Sequence, residues 1–308
     1  MDMRQLRYFV AVARERNFSR AAELLHIAQP PLSRQIQQLE ERLGATLIDR
    51  SQRPLVLTEA GRFFYEQASQ MIARMDHVSD QTRKIALTHN ELFIIGCVGS
   101  TLYGGIPDLV RRMRERWPEL RIEIREMISM EQISALKEGR IDLGFGRVRL
   151  SDPDIERIVL REERLVVAFP KGHPKSLSME PIALREIEGE PLITYPSRPR
   201  PSFADQVLAL YADLDVATGV VEEVREIQAA LGLVAAAIGL CIIPAASQRQ
   251  RPDDVCYRFL SDKEAVSPII MSHRRNDKSG RIGEIKQLIQ QMYAENPPWL
   301  RLSAGEAV

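Results

Sequence analysis

Cysteine is scarce in this chain of 308 residues: there are three, Cys97, Cys241 and Cys256. None forms a CxxC pair or a Cys/His spacing suited to a metal, and all three sit among apolar neighbours. Buried thiols are therefore expected, rather than a zinc site or a redox couple. A long apolar run is also missing. The opening stretch MDMRQLRYFVAVARERNFSR interrupts its hydrophobic residues with Asp2, Arg4 and Arg7, leaving a segment too short for a signal peptide or a membrane span. The protein is expected to stay in the cytoplasm, with no membrane partner. Net charge is absent as well, 42 basic residues standing against 42 acidic ones.

Catalytic signatures are lacking too. Gly96-Cys97-Val98-Gly99-Ser100-Thr101 resembles a phosphate loop but has no Lys before Ser100. Gly144-Phe145-Gly146 has Arg149 where a dinucleotide fingerprint needs its third glycine. Val98 stands two residues before Ser100, where a nucleophile elbow requires glycine. The five histidines are dispersed. No enzyme, no catalytic residue, no bound metal and no cofactor are expected.

What is present suits a globular protein of two or three domains, 44% hydrophobic and 27% charged. The first sixty residues hold nine Arg, no Lys and seven acidic residues. Arg is the base whose planar fork suits phosphates and guanine edges. Leu6, Phe9, Val10 and Ala13 repeat at helical spacing, Asn17-Phe18-Ser19 interrupts, and Ser19 is read as the cap of a second helix through Leu25. After a turn at His26-Ile27-Ala28-Gln29, Pro30 and Pro31 open a third helix running to Leu43, because proline is favoured where helical N–H groups lack partners. Leu32, Ile36, Leu39 and Leu43 then point inward, Gln29, Ser33, Arg34 and Gln37 outward, and Gly44 ends the helix.

Two short helices joined by a tight turn, with Gln, Ser and Arg exposed at the start of the second, form a helix-turn-helix layout in which Gln can read adenine and Arg guanine or phosphate. Two strand-like runs, Thr46–Arg50 and Pro54–Leu57, flank Ser51-Gln52-Arg53 as a hairpin wing. A long helix follows from Thr58-Glu59 to about His89. Its Phe64, Ala68, Met71, Met75, Val78, Thr82 and Ile85 step by four and three, an a/d seam that asks for a partner helix and predicts a dimer.

Beyond Asn90 strands and helices alternate: strands at 92–98, 121–126 and 141–145 with helices at 105–117 and 133–137, then strands at 165–169, 192–195, 220–224 and 240–244 with helices at 203–213 and 227–237. The fold class is thus α/β behind an all-α-type winged helix-turn-helix, with two α/β lobes enclosing a cleft. Gly99-Ser100-Thr101 lies between a strand and a helix, and Pro201, Ser202 and Phe203 start a helix of the other lobe.

The N-terminal fifty residues are similar, without a gap, to the DNA-binding domain of LysR-type transcriptional regulators, and the resemblance runs through the whole chain. "LYGGIPDLVRRMRERWPELRIEI", "SALKEGRIDLGFGR", "YPSRPRPSFAD", "EVREIQAALGLVAA" and "PPW" resemble the regulators of catechol and benzoate degradation in particular. The resemblance implies a winged helix-turn-helix domain at 1–58, a linker and dimerisation helix at 59–89, and at 90–308 a periplasmic-binding-protein-like effector domain. In that domain lobe I would take 90–162 and 268–308, and lobe II 163–267. It implies that Gln29, Pro30, Pro31, Ser33 and Arg34 meet the major groove of operator DNA and that Arg50, Ser51 and Arg53 follow the backbone. Ser129 joins the residues above at an effector site for cis,cis-muconate, or for chloromuconate or benzoate. Arg147, Arg161, Glu163 and Tyr293 match a second, aromatic-acid pocket, or else an ion-pair cluster. Partners implied are double-stranded DNA, further copies of the chain in a tetramer of two dimers, and RNA polymerase on the bacterial nucleoid. A secreted solute-binding protein would lack the recognition helix, and an architectural DNA-binding protein would have no need of the cleft.

Overall fold

The chain's first helix is set by a reciprocal cap: the Asp2 carboxylate accepts from the Gln5 N–H at 2.8 Å, and the Gln5 side chain accepts from the Asp2 N–H at 3.3 Å. This holds in a computed structural model that describes the backbone of residues 1–88, 91–251, 253–277 and 279–304, with all their side chains except those of 77, 80, 81, 83–88 and 302–304. Two compact units result, Met1–Leu87 with Lys137–Arg140, and Thr88–Leu136 with the chain from Ile141 onward.

In the first unit, helix α1 (Met3–Glu15) is followed by α2 (Phe18–Leu24) and α3 (Gln29–Leu43). The cap of α2 is Asn17 rather than Ser19: its Oδ1 accepts from the N–H groups of Ser19 and Arg20 at 2.8 and 3.1 Å. Ser19 is already the second residue of the helix, two positions past the cap. Helix α3 starts at Gln29 with no side-chain cap. None is needed for two of its first-turn positions, because Pro30 and Pro31 carry no N–H to leave unpaired. Phe9, Leu32, Ile36, Leu39, Leu47 and Ile48 form the core, whereas Leu43, expected to point inward, is 40% exposed in the last turn, which Gly44 closes in a left-handed cap. Strands β1 (Ile48–Asp49) and β2 (Val56–Leu57) pair antiparallel, Ile48 opposite Leu57, and make the wing.

Helix α4 (Glu59–Thr88) divides the expected seam in two. Phe64 packs edge-on against Phe9 with ring centroids 5.2 Å apart, and Ala68 is buried within the single chain. Neither is free to meet a partner helix. Met71, Met75 and Val78 are about half exposed, at 52%, 48% and 44%, as is Phe63 on an adjacent row at 66%. Thr82 is exposed with its hydroxyl donated to the Val78 carbonyl at 2.8 Å. The Ile85 side chain and His89 lie outside the described residues. Heptad spacing registers an apolar stripe but not which surface covers it, and here the first turns are covered by the winged unit itself.

The second unit opens on β3 (Leu92–Cys97), buried along its whole length as befits a parallel strand covered on both faces. A 3₁₀ turn at Gly99–Tyr103 leads into α5 (Ile106–Arg116), β4 (Arg121–Glu126), α6 (Ser129–Lys137) and β5 (Leu143–Gly146). The sixteen residues of β6 (Ile155–Pro170) then run through both lobes. Their first part pairs with β11 (Val266–Arg274) and their last part with β9 (Leu240–Pro244) and β10 (Val255–Phe259). Between them come β7 (Leu192–Thr194), α7 (Phe203–Asp213), β8 (Val221–Glu223) and α8 (Ile227–Ala235). Helices α9 (Arg281–Ala294) and α10 (Pro298–Ala304) close the described chain. The strand order is β4-β3-β5-β11-β6-β9-β7-β8, with β10 beside β6. Periodicity did not predict β10, β11, α9 and α10, nor that β6 begins at Ile155 and not Leu165. Its first half, IERIVLREE, alternates charge with hydrophobe and carries no turn signal to mark it as part of one long strand. Cys97 and Cys241 are buried as expected, but Cys256 is half-exposed.

Asn17→Ala is expected to destabilise the first unit by about 1 kcal/mol in urea unfolding, and Ser19→Ala by less than that. A larger loss from Ser19→Ala would return the cap to the serine.

Candidate functional site

Gln29, Pro30, Pro31 and Arg34 are exposed along the first turns of α3, and Ser33 is half-exposed between them. Gln29 with Ser33 and Pro30 with Arg34, each pair four residues apart, lie on one helical face and form a ridge carrying three polar side chains on a rigid start, held from behind by Leu32 and Ile36 in the core and by a hydrogen bond from the Gln5 amide to Gln35 at 3.2 Å. At the wing, Ser51 and Arg53 are exposed, the Ser51 hydroxyl donating to Asp49 at 2.6 Å. Arg50 is spoken for. Its guanidinium pairs with Glu40 at 2.6 Å and lies 5.7 Å from the centre of the Phe18 ring, so it braces the wing against α2 and α3.

In the second unit a cavity of about 550 Å³ opens between the two lobes. One wall carries Gly99, Ser100 and Ser129, and the other carries Pro201, Ser202 and Phe203. Each group sits where a strand hands over to a helix, so the backbone N–H groups of first helical turns gather around the space. A β-carbon at Gly99 would come within 2.3 Å of the end of the exposed Glu126 side chain, which would have to swing aside.

Hydroxyl protons separate these serines. Ser100 Oγ accepts from Arg147 Nε at 2.7 Å, and Ser129 Oγ accepts from the Arg147 N–H at 3.1 Å, so both keep an O–H to donate into the cavity. Ser202 has committed its proton to the Pro196 carbonyl at 3.0 Å and its N–H to Asp205 at 2.6 Å. The far wall therefore relies on the first N–H groups of α7, at Phe203 and Ala204. Thr101 departs from the expected set. Its hydroxyl donates to the Val98 carbonyl at 2.7 Å, and the residue lines a second, smaller pocket.

Arg147 lines the large cavity rather than the smaller pocket, yet it stays within the ion-pair cluster that the sequence offered as the other reading of Arg147, Arg161 and Glu163. It is 2% exposed, and its Nη2 meets Glu163, fully buried, at 2.6 Å. Glu163 receives in addition the Ala246 N–H at 2.7 Å and Arg161 at 3.7 Å. Two guanidiniums thus share one carboxylate in a site of low dielectric, Arg147 on the large cavity and Arg161 on the smaller pocket. Arg161, Glu163 and Tyr293 border the smaller pocket of about 20 Å³. Burial raises the pKa of the Tyr293 phenol, against the pull of Arg161 beside it.

Further residues of the large cavity escaped the sequence reading, among them Arg198, Arg225 and Tyr195 and the acidic Glu126, Glu131 and Glu226. Arg198 and Arg225 line its lobe II side, and both are exposed. They stand within YPSRPRPSF and EEVREIQAA, where loop arginines look no different from solvated ones. Tyr195 follows β7 directly, and its hydroxyl is buried without a hydrogen-bond partner, as is Arg147 Nη1. Buried polar atoms of this kind each cost about 1–3 kcal/mol unless something pairs with them. Among the described residues no group of three or more His, Cys, Asp or Glu could hold a metal ion. Nor is any helix of them long and apolar enough to cross a membrane.

Comparison with known proteins fits this geometry. Residues 88–294 match the LysR substrate binding domain, and residues 3–62 match the bacterial regulatory helix-turn-helix protein, lysR family. The chain is 55% identical over 300 residues to a probable cat1 operon transcriptional activator of Acinetobacter lwoffii, covering 97% of this chain and 99% of that one. It is similar to full-length BenM of Acinetobacter baylyi at 42% identity and a TM-score of 0.63, over 97% of this chain and 100% of that chain. The BenM effector binding domain is known with its effector benzoate. Full-length CbnR in complex with its target DNA matches at 28% identity and a TM-score of 0.67, over 94% of this chain and 99% of that one. A winged helix-turn-helix with an exposed polar ridge, followed by a two-lobed domain that matches over its length, makes this chain a member of the LysR family of transcriptional regulators.

Proposed function

We propose that this regulator activates genes for the breakdown of aromatic compounds of the catechol and benzoate type, and that a slim dicarboxylate, cis,cis-muconate, controls it from the cavity between the lobes. The carrying observation is the cavity's donor pattern. Two serine O–H groups and the base charge of Arg147 lie on one side, and helix N-terminal N–H groups with Arg198 and Arg225 on the other. A molecule with a carboxylate at each end meets donors at both, whereas a monocarboxylate leaves one set unused. The ligand shifts the regulator only by its differential affinity for one arrangement of lobes and subunits. In the cell this places the protein in the cytoplasm on the nucleoid, acting on RNA polymerase at the promoter, with no catalytic role and no cofactor besides the effector.

Titration calorimetry on the full chain tests the ligand. cis,cis-Muconate is expected to bind more tightly than a monocarboxylate of equal length. Ser100→Ala is expected to weaken it by roughly 0.5–3 kcal/mol, and Ser202→Ala by less, since its proton is already used. Absence of heat with muconate, or a larger loss at Ser202 than at Ser100, would sink this reading.

The exposed ridge of α3 is the DNA-reading element, and the wing follows the phosphates. Arg34→Ala or Gln29→Ala is expected to cost about 1–3 kcal/mol and to relax preference at one operator position. Arg53→Ala should weaken binding to all sequences and flatten its salt dependence. Footprints on the protein's own upstream region, with and without muconate, read both effects. Unchanged affinity and selectivity in every variant would refute the assignment.

Dimers form through α4 and then pair into tetramers. The half-exposed row Met71, Met75 and Val78 is the part left for a second copy. Met71→Asp with Met75→Asp puts charge on that row and is expected to shift sedimentation to the monomer, whereas unchanged assembly would mean that the row faces water.

A further inference from the structure

Two strands join the lobes, the chain leaving lobe I along β6 and returning along β11. Their ladder is irregular where the lobes meet. Ile269 lies opposite Arg161 and Ile270 opposite Val159, which leaves Leu160 without an opposite residue. A bulge of this kind disrupts the ladder and bends the strand that carries it. The strands therefore leave the angle between the lobes free to vary, and a group beside them has to set it.

A side chain of α7 is placed to do so. Gln206 is the fourth residue of that helix, and its amide is engaged at both ends: Nε2 donates to the Arg147 carbonyl at 2.7 Å, and Oε1 accepts from the Ser267 hydroxyl at 3.0 Å. Only this orientation of the amide serves, since a carbonyl accepts and cannot donate. Ser267 is fully buried in β11, opposite Glu163 of β6, beside the bulge. Arg147 belongs to lobe I and holds the facing wall of the cavity, its N–H reaching Ser129 Oγ at 3.1 Å and its Nε reaching Ser100 Oγ at 2.7 Å. One amide thus ties the helix whose first N–H groups face the cavity to the residue that positions both serines opposite. Gln206 itself does not line the cavity, so it acts there only through its neighbours.

We propose that Gln206 is a strut: as a positioning residue it sets the distance between the two walls of the large cavity, and with it the length of ligand that the cavity accepts. This rests on the reading of that cavity as the effector site. A ligand with a carboxylate at each end depends on the distance, whereas one held by a single wall does not. The full-length protein tests it with Gln206→Met, which keeps the length of the side chain and removes both hydrogen bonds. cis,cis-Muconate is expected to bind about threefold to tenfold more weakly, the reach of one neutral hydrogen bond, while sorbate, a dienoate of the same length with one carboxylate, is unchanged. Equal weakening of both, or of neither, overturns the strut. The spacing is also read without any ligand, by pulsed EPR between spin labels at Ser134→Cys on α6 and Ala209→Cys on α7, both exposed. The labelled chain carries Cys256→Ser, Cys97 and Cys241 being buried, and is diluted with unlabelled protein. Gln206→Met is expected to broaden the distance distribution, and an unchanged distribution overturns the proposal. Failure of the parent to bind muconate would count against the effector, and this second measurement would still decide the strut. Should Gln206→Met fail to fold, Ser267→Ala takes its place: it removes only the bond that orients the amide and is expected to broaden the same distribution by less, the absence of any broadening overturning the proposal.

Discussion

The buried contact between Arg147 and Glu163 is what the effector domain is arranged around. Glu163 stands in β6, the strand common to both lobes, and its second oxygen holds the Ala246 N–H in the turn after β9. Arg147 follows β5, receives the Gln206 amide of α7 on its carbonyl at 2.7 Å and holds Ser100 through Nε. One ion pair therefore touches both walls of the large cavity and the edge of the small pocket. Burying such a pair adds little net stability, since desolvation offsets most of the attraction. Removing one partner is another matter, because the charge left behind has no water to turn to. What the pair provides is a fixed geometry, in which groups lining the large cavity and the small pocket are held in direct contact.

Charge follows the same arrangement. Arg147 and Arg161 share the single carboxylate of Glu163, one facing the large cavity and the other the small pocket. Glu126, Glu131 and Glu226 also line the large cavity, so the attraction for an anion is local to buried Arg147, where screening by water is weakest. For the proposed effector, Arg147, the serines and the helix starts decide where its carboxylates lie.

The DNA-binding unit shows a different economy. Its reading surface is rigid because the residues behind it are spent: Leu32, Ile36 and Leu39 on the core, Gln35 on Gln5, Arg50 on Glu40 and Phe18. Phe64 and Ala68 of α4 are drawn into the same chain. The exposed polar residues of α3 remain for a partner because the fold makes no use of them.

Sequence by itself determined the local features. Pro30-Pro31 marks a helix start because proline loses nothing there, helical spacing marks Phe9, Leu32, Ile36 and Leu39 as core, and alternating strands and helices mark two α/β lobes. Family resemblance carried the site residues further, to Ser100, Ser129 and Ser202 on opposite walls. Tertiary structure alone decided which hydroxyls still hold a proton to give, because that depends on acceptors such as the Val98 and Pro196 carbonyls, brought close by the turns of the backbone. It also decided that the first two residues of a heptad seam, Phe64 and Ala68, are covered within the chain, and that Arg147 lines the large cavity and not the small pocket. The reason is common to all three. Spacing along a chain records which face a residue points to, but what covers that face comes from segments distant in sequence, and only packing brings them together.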